Sequence, residues 1–387
     1  MKIATMVRGY IPAPRPADIV YAPIDLSINI SEGLVARGHS VDYFGPNGTH
    51  LEANVETMNL RPLIHNMAEF RSLIESADLM THYIPGLWDG FLVREMFERA
   101  QRGEYDLLHF HHPEVAFPYV KLYPDVPVVY TLHESLTPWY REVLEMYDTP
   151  SQYYISISNN QRIPAPDLSY ISTVYNGTDT NLFSFSAKHE DYLLSVGRIV
   201  PEKGIKEAIQ VAQQTNNRLL IIGPTYPDQQ DYFDQHVKPH LNDKIVYLGF
   251  IAHADLPRYF QNAKAFLMPI QWEEPFGLTM TEAMACGTPV IALRRGSVPE
   301  VLVNNKTGFI VNSIAEMVKA VGKIDTIKPR IIREHVEVNF SIAKMVEGYE
   351  AAFTNVLKKH KRAQKGPAAL VKEKISDPLK RKIKSKK

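Results

Sequence analysis

EEPFGLTMTEAMACGTP, residues Glu273 to Pro289, is flanked by two short apolar runs, AFLM at Ala265 to Met268 and PVIA at Pro289 to Ala292. Apolar runs of this length suit buried strands and are too short for a helix. Pro269 ends the first strand, Glu273 to Pro275 make a short turn, and Gly277 opens a helix from Leu278 to Ala285. Strand, turn, helix and strand in that order form one βα unit, the building block of a parallel sheet.

Working outward, the same alternation runs along the chain twice. In the first half, strands are expected at Lys2 to Met6, Ser40 to Phe44, Leu107 to Phe110, Val126 to Leu132, Tyr153 to Ser156 and Ile171 to Val174. Helices are expected at Asp25 to Arg37 and Trp88 to Gln101. In the second half, strands fall at Tyr192 to Val196, Leu219 to Ile222, Ile245 to Leu248, Ala265 to Met268 and Pro289 to Ala292. Helices at Ile205 to Gln214, Leu256 to Gln261 and Leu278 to Ala285 cross between them. NLFSFSAKHED, Asn181 to Asp191, has neither period and reads as a linker. The fold class is therefore α/β, with two doubly wound parallel sheets facing across a cleft, where ligands bind at the carboxyl ends of the strands. The expected divisions are 1–185, 186–340, a terminal helix over 341–361, and a tail over 362–387.

Length and composition agree. The 387 residues exceed what one core normally holds, and 45% hydrophobic with 22% charged is ordinary for a globular protein. Nothing approaches the roughly 18 to 20 apolar residues of a membrane span, and MKIATMVRGYIPAP enters a strand, not a signal peptide. A cytoplasmic protein is expected, with Cys286, the one cysteine, serving as core filler. The formal charge is zero, yet residues 361–387 hold 11 Lys and Arg against Glu373 and Asp377, leaving 32 basic against 41 acidic elsewhere. That tail either docks on anionic lipid headgroups, placing the protein on the inner face of the membrane, or solubilises the chain. An acidic body argues against nucleic acid as a partner.

Three groups of residues could carry chemistry. The helix behind Gly277 presents free amides and positive dipole character to an anion, and a missing side chain lets a ligand approach the backbone. Glu274 on the approach and Glu282 within the helix can address different parts of one ligand; the alternative is a capped surface helix with solvated acids. In SVGRIVPEKG, Ser195 to Gly204, a strand ends at glycine and a loop carries Arg198 and Lys203. They can neutralise a diphosphate or can simply be solvated cations. His109, His111, His112 and His133 lie at two strand ends, without a carboxylate or cysteine at metal-ligand spacing, so no metal is expected. His133 ends its strand facing the cleft, where it either bonds a sugar hydroxyl or is a satisfied structural histidine.

On these residues the chain resembles the family 4 glycosyltransferases, the retaining, group 1 class of the GT-B fold. GRIVPEKG resembles the family's phosphate loop, EPFGLTMTEAMACGTPV its Glu-x7-Glu signature, and VYNGTDTNLF at Val174 to Phe183 its turn before the linker. The resemblance covers most of residues 1–360 and includes a terminal helix crossing back to the first domain. It implies that Arg198 and Lys203 hold the diphosphate of a nucleotide-sugar donor and that Glu274 binds donor-sugar hydroxyls. Phe276, Gly277 and Leu278 would contact that sugar through their backbone, Thr279 would lie near the phosphates, and Glu282 would bind the ribose. His133 would approach the reacting sugar, and backbone near Gly223 and Phe250 to Ile251 would read the base. The implied reaction is transfer of a hexose-type sugar to a glycan, lipid or small-molecule acceptor with retention, without a metal or other cofactor.

One stretch departs from the family pattern. Gly9 to Asp18, GYIPAPRPAD, carries one glycine and three prolines where a glycine-rich loop is usual. Proline removes amide donors and stiffens the loop, so Arg15 is a candidate substitute, with Trp88 and Trp139 as further acceptor-side candidates. A sugar-nucleotide epimerase or phosphorolytic enzyme on the same fold, and a non-catalytic sugar-nucleotide binder, are the competing readings.

Overall fold

The structure, a computed structural model, describes residues 1–74, 76 and 78–364. Of the tail expected over 362–387, residues 362–364 continue the last helix, and the rest lies outside the described residues, and with it the membrane-docking reading.

The first half builds a parallel sheet from β1 (Lys2–Met6), β2 (Ser40–Phe44), β3 (Asn54–Glu56), β4 (Leu107–Phe110), β5 (Val128–Leu132), β6 (Gln152–Ser156) and β7 (Tyr170–Thr173). Their order is β3-β2-β1-β4-β5-β6-β7. The second half builds another from β8 (Tyr192–Val196), β9 (Arg218–Ile222), β10 (Ile245–Tyr247), β11 (Ala265–Met268), β12 (Val290–Leu293) and β13 (Gly308–Val311), in the order β10-β9-β8-β11-β12-β13. Each order reverses direction once, between β1 and β4 and between β8 and β11, and such a reversal opens a crevice at the strands' carboxyl ends.

Burial of both sheet faces explains the continuous apolar runs. In the first sheet, Ala4, Leu108, Val128 and Tyr154 point into one core and Ile3, Leu107, Val129 and Tyr153 into the other, the alternation of a strand. The second core is closed by the last helix, Ile342–Gln364, whose Val346, Tyr349 and Phe353 join Leu26 and Ile30 of the first helix, Ala22–Ala36. The two helices approach so closely that a Cβ on Gly33 would stand 2.4 Å from Val346 Cγ2. The chain thus returns to its first half after completing the second sheet. Cys286 is buried, and burial pushes its thiol up to about 12.

Two strands escape the sequence reading. β3 is a three-residue edge strand, and β13 opens on Gly308, so neither carries a long apolar run. The helix expected from Trp88 begins earlier, at Leu79, and carries Pro85 internally. Asn181 to Asp191 is irregular but tied down: Ser186 N donates to Cys286 O and Glu190 N to Asn262 O. No helix among the described residues is long and apolar enough to cross a membrane.

Candidate functional site in the cleft

A cavity of about 220 Å³ opens where the two sheets' carboxyl ends face each other. Tyr21, Asp25 and Arg15 wall it from the first half; Arg198, Gly223, Ile251, Leu278, Thr279 and Glu282 wall it from the second. Lys203, Glu274, Phe276, Gly277 and His133 are not among its walls, and neither are Trp88 and Trp139.

Local sequence explains how the second half presents its groups. Gly277 adopts φ 79°, a left-handed conformation, and a Cβ there would sit 2.7 Å from Met280 Cε. Only glycine takes this turn without strain. Immediately after it the Leu278–Ala285 helix starts, leaving its first amides free. Phe276 is buried, with its carbonyl accepting from Ser297 Oγ at 2.7 Å.

Glu274 is only 8% exposed, and its Oε2 accepts from Lys203 Nζ at 2.5 Å and from Trp272 Nε1 at 3.0 Å. The loop expected to hold a diphosphate and the loop expected to hold a sugar are therefore joined by an ion pair. Glu282, 6% exposed, pairs through Oε1 with His253 Nε2 at 2.8 Å. Burial is the largest single influence and lowers the His253 pKa, but the hydrogen bond to Glu282 and the negative charges of Glu282 and Asp25 together outweigh it, and the net direction is upward. Arg198 is exposed on the cavity wall and has no carboxylate partner among the described residues. A guanidinium so placed is available to an anionic ligand.

His133 follows β5, and its Nε2 lies 2.8 Å from His111 Nδ1 with the rings stacked. Burial, with help from neighbouring imidazoles, pushes both pKa values well down; burial alone takes His109 to about 3, and His112 falls to about 4. All four rings are neutral at ordinary pH. His111 Nε2 is buried without a partner. An orphaned buried N–H is rarer than an orphaned acceptor, so His111 is best assigned as donor through Nδ1. His133 then keeps its own proton on Nδ1.

Arg15 pairs with Asp25 at 2.7 Å and lines the same cavity as His253 and Glu282, which neither tryptophan lines. Trp88 donates to Arg61 O at 2.8 Å, and Trp139 is 79% exposed. Sequence reasoning missed His253, Tyr21 and Asp25. It also missed a network at the end of β1, running from buried Asp89 to exposed Glu114, where Arg8 bonds Asp89 at 3.1 Å and Glu114 at 2.6 Å, and Gly9 N donates to Asp89 Oδ1 at 2.6 Å. Burial raises Asp89 to about 6 against the opposing pull of Arg8. Burial also pushes Glu114 up, but His112 and Arg8 outweigh it and hold the carboxyl well below its usual range. This network borders a second cavity, of about 530 Å³, with Tyr10 and Tyr119.

Comparison with known proteins covers both halves. Residues 179–328 match the family model described as glycosyl transferases group 1, and residues 27–182 match that of glycosyltransferase family 4. The chain is 24% identical over 377 residues to the N-acetyl-alpha-D-glucosaminyl L-malate synthase of Bacillus anthracis, covering 86% of this chain and 93% of that protein. It is 30% identical over 232 residues to the glycogen synthase of Mycobacterium tuberculosis, spanning 52% of this chain and about half (55%) of that one. Among solved structures, Anabaena Alr3699/HepE in complex with UDP and glucose superposes with a TM-score of 0.66 at 17% identity, over 92% of this chain and all (100%) of that chain. That likeness is one of fold.

Proposed function

The chain belongs to the glycosyltransferases of family 4 and group 1, and from that membership we propose that it moves a hexose-type sugar from a nucleoside-diphosphate sugar to a glycan, lipid or small-molecule acceptor, with retention at the anomeric carbon. The observation that carries this reading is the arrangement of the two glutamates of one strand-turn-helix segment. Each is buried, and each faces a cation or a histidine from a different loop: Glu274 on Lys203 and Glu282 on His253.

In this reading the diphosphate lies against Arg198, Lys203 and the first amides of the Leu278–Ala285 helix, near Thr279. These groups stabilise the charge that develops on the leaving diphosphate, and preorganised charge is most effective in a cleft that excludes water. Glu274 and the backbone of Phe276, Gly277 and Leu278 hold the donor sugar, Glu282 takes the ribose hydroxyls, and backbone at Gly223 and Ile251 meets the base. His133, carrying its proton on Nδ1, donates to an oxygen of the reacting sugar. The departing diphosphate takes the proton of the acceptor hydroxyl on the same face, and no step calls for a metal. The fold shared with a protein solved with UDP and glucose supports a nucleotide-sugar donor. The Arg8, Asp89 and Glu114 network, beside its own cavity, is the acceptor-side counterpart.

The test is a panel of nucleotide sugars with candidate acceptors, read as release of nucleoside diphosphate and as the anomeric configuration of the product by NMR. Failure of every donor to bind would end the proposal. Conversion of a donor without any acceptor would favour an epimerase instead.

A further inference from the structure

We propose that Glu300 is a positioning residue whose carboxylate latches the second half of the molecule onto the first and so fixes the Glu274 loop over the cleft. The proposal rests on the donor-site reading of that loop. Glu300 lies in the short Val298–Val301 helix of the second half. Its Oε2 accepts from Asn159 N at 2.7 Å and its Oε1 from Asn160 N at 2.7 Å, both in the segment following β6 of the first sheet. Tyr175 OH donates to Oε2 at 3.0 Å. Both oxygens are engaged, and by short, charge-assisted bonds. Ser135 Oγ to Glu273 O, which also crosses between the halves, is neutral and long at 3.3 Å.

The residues just before Glu300 are bonded to the donor loop. Gly296 N donates to Glu273 Oε2 at 2.6 Å, Ser297 N to Glu274 O at 2.9 Å, and Ser297 Oγ to Phe276 O at 2.7 Å. Gly296 to Glu300 is therefore a strut, attached at one end to the loop bearing Glu274 and at the other to the first sheet. Opening the cleft must break the Glu300 bonds, so the placing of the loop and the closure of the cleft go together. The chemistry requires a carboxylate: glutamine would turn an N–H group toward one of the two amides that now donate.

The experiment uses the full chain with Glu52→Cys and Asp243→Cys, exposed positions on opposite halves, carrying spin labels while buried Cys286 is left in place. Pulsed dipolar spectroscopy is expected to show a narrow distance distribution that Glu300→Ala and Glu300→Gln broaden toward longer distances. UDP affinity, measured by calorimetry, should weaken about tenfold in both, as when the closed form falls to about a tenth of the molecules. A residue that merely stabilised its own helix would lower the Tm and leave the distances where they were. An unchanged distance distribution overturns the latch, whatever the affinity. If neither UDP nor any other nucleoside diphosphate of a panel binds the parent protein, the donor reading fails and the distances alone decide the latch.

Discussion

Glu282 Oε1 and His253 Nε2 stand 2.8 Å apart on the cavity wall, the first on the Leu278–Ala285 helix and the second ahead of the Pro257–Asn262 helix. The pairing raises the His253 pKa in the folded state. A histidine raised on folding contributes stability that is full below its unfolded value, about 6.5, and is lost as pH rises through the folded value. His253→Ala is therefore expected to lower the Tm more at pH 5.5 than at pH 8.5. The effect is modest, because the His253 side chain is 39% exposed and solvent screens the pair. Thermal melts of both proteins across that window check it; an equal loss at both pH values would contradict the pairing.

Lys203 and Glu274 act on adjacent parts of the proposed donor, the diphosphate and the sugar it carries, and bond each other at 2.5 Å. Lys203→Ala or Glu274→Ala is expected to lower kcat/KM at least about tenfold while far-UV circular dichroism stays unchanged. Each single change also leaves its partner's charge buried and unpaired. The double variant should therefore lose less than the product of the two single losses. Strict multiplicativity would mean that the pair is not a unit during turnover.

His133 sits where burial and neighbouring imidazoles push its pKa well down, so it is neutral across the range in which the enzyme would be assayed. The pH profile of kcat should then show no limb between about pH 5 and 8 that disappears in His133→Gln. Imidazole nitrogen NMR should place the His133 proton on Nδ1, and His111→Phe should release it to exchange between the two nitrogens. Finding that proton on Nε2 in the parent protein would reverse the assignment.

Much of the fold can be read along the chain, and the reason is burial. β1, β8 and β11 are covered on both faces, so their apolar runs announce them, whereas the edge strand β3 has only Val55 between two polar residues. The site is only partly legible for a different reason. Glu274, Glu282, Arg198 and Lys203 announce themselves by residue type and by the loop or helix end that carries them. Their partners do not: His253 is 29 residues from Glu282, and Asp89 is 81 from Arg8. Nothing periodic links residues that meet only because two sheets bring their carboxyl ends together. Arg15 shows the same gap, since its proline-rich loop gave no sign that it would pair with Asp25.

Arg333 extends this reasoning to stability. It lies in the Pro329–Asn339 helix, is buried, and donates through Nη1 to Phe183 O at 2.7 Å and Ala285 O at 2.8 Å, and through Nη2 to Thr180 O at 2.8 Å. Ala285 is the last residue of the helix that opens at Gly277, so the guanidinium places a cation where that helix's dipole is negative. Glu337 balances the charge at 2.6 Å. Arg333→Met keeps most of the volume but strands two buried carbonyls and one part-buried one, at about 1 to 3 kcal/mol for each buried group before relaxation and water entry. A net loss of about 3 kcal/mol is expected from urea unfolding. Because the same bonds hold the carboxyl end of the donor-side helix, the folded variant should also bind UDP more weakly at temperatures well below its Tm. A full loss of stability with unchanged UDP affinity would show that the helix keeps its place without Arg333.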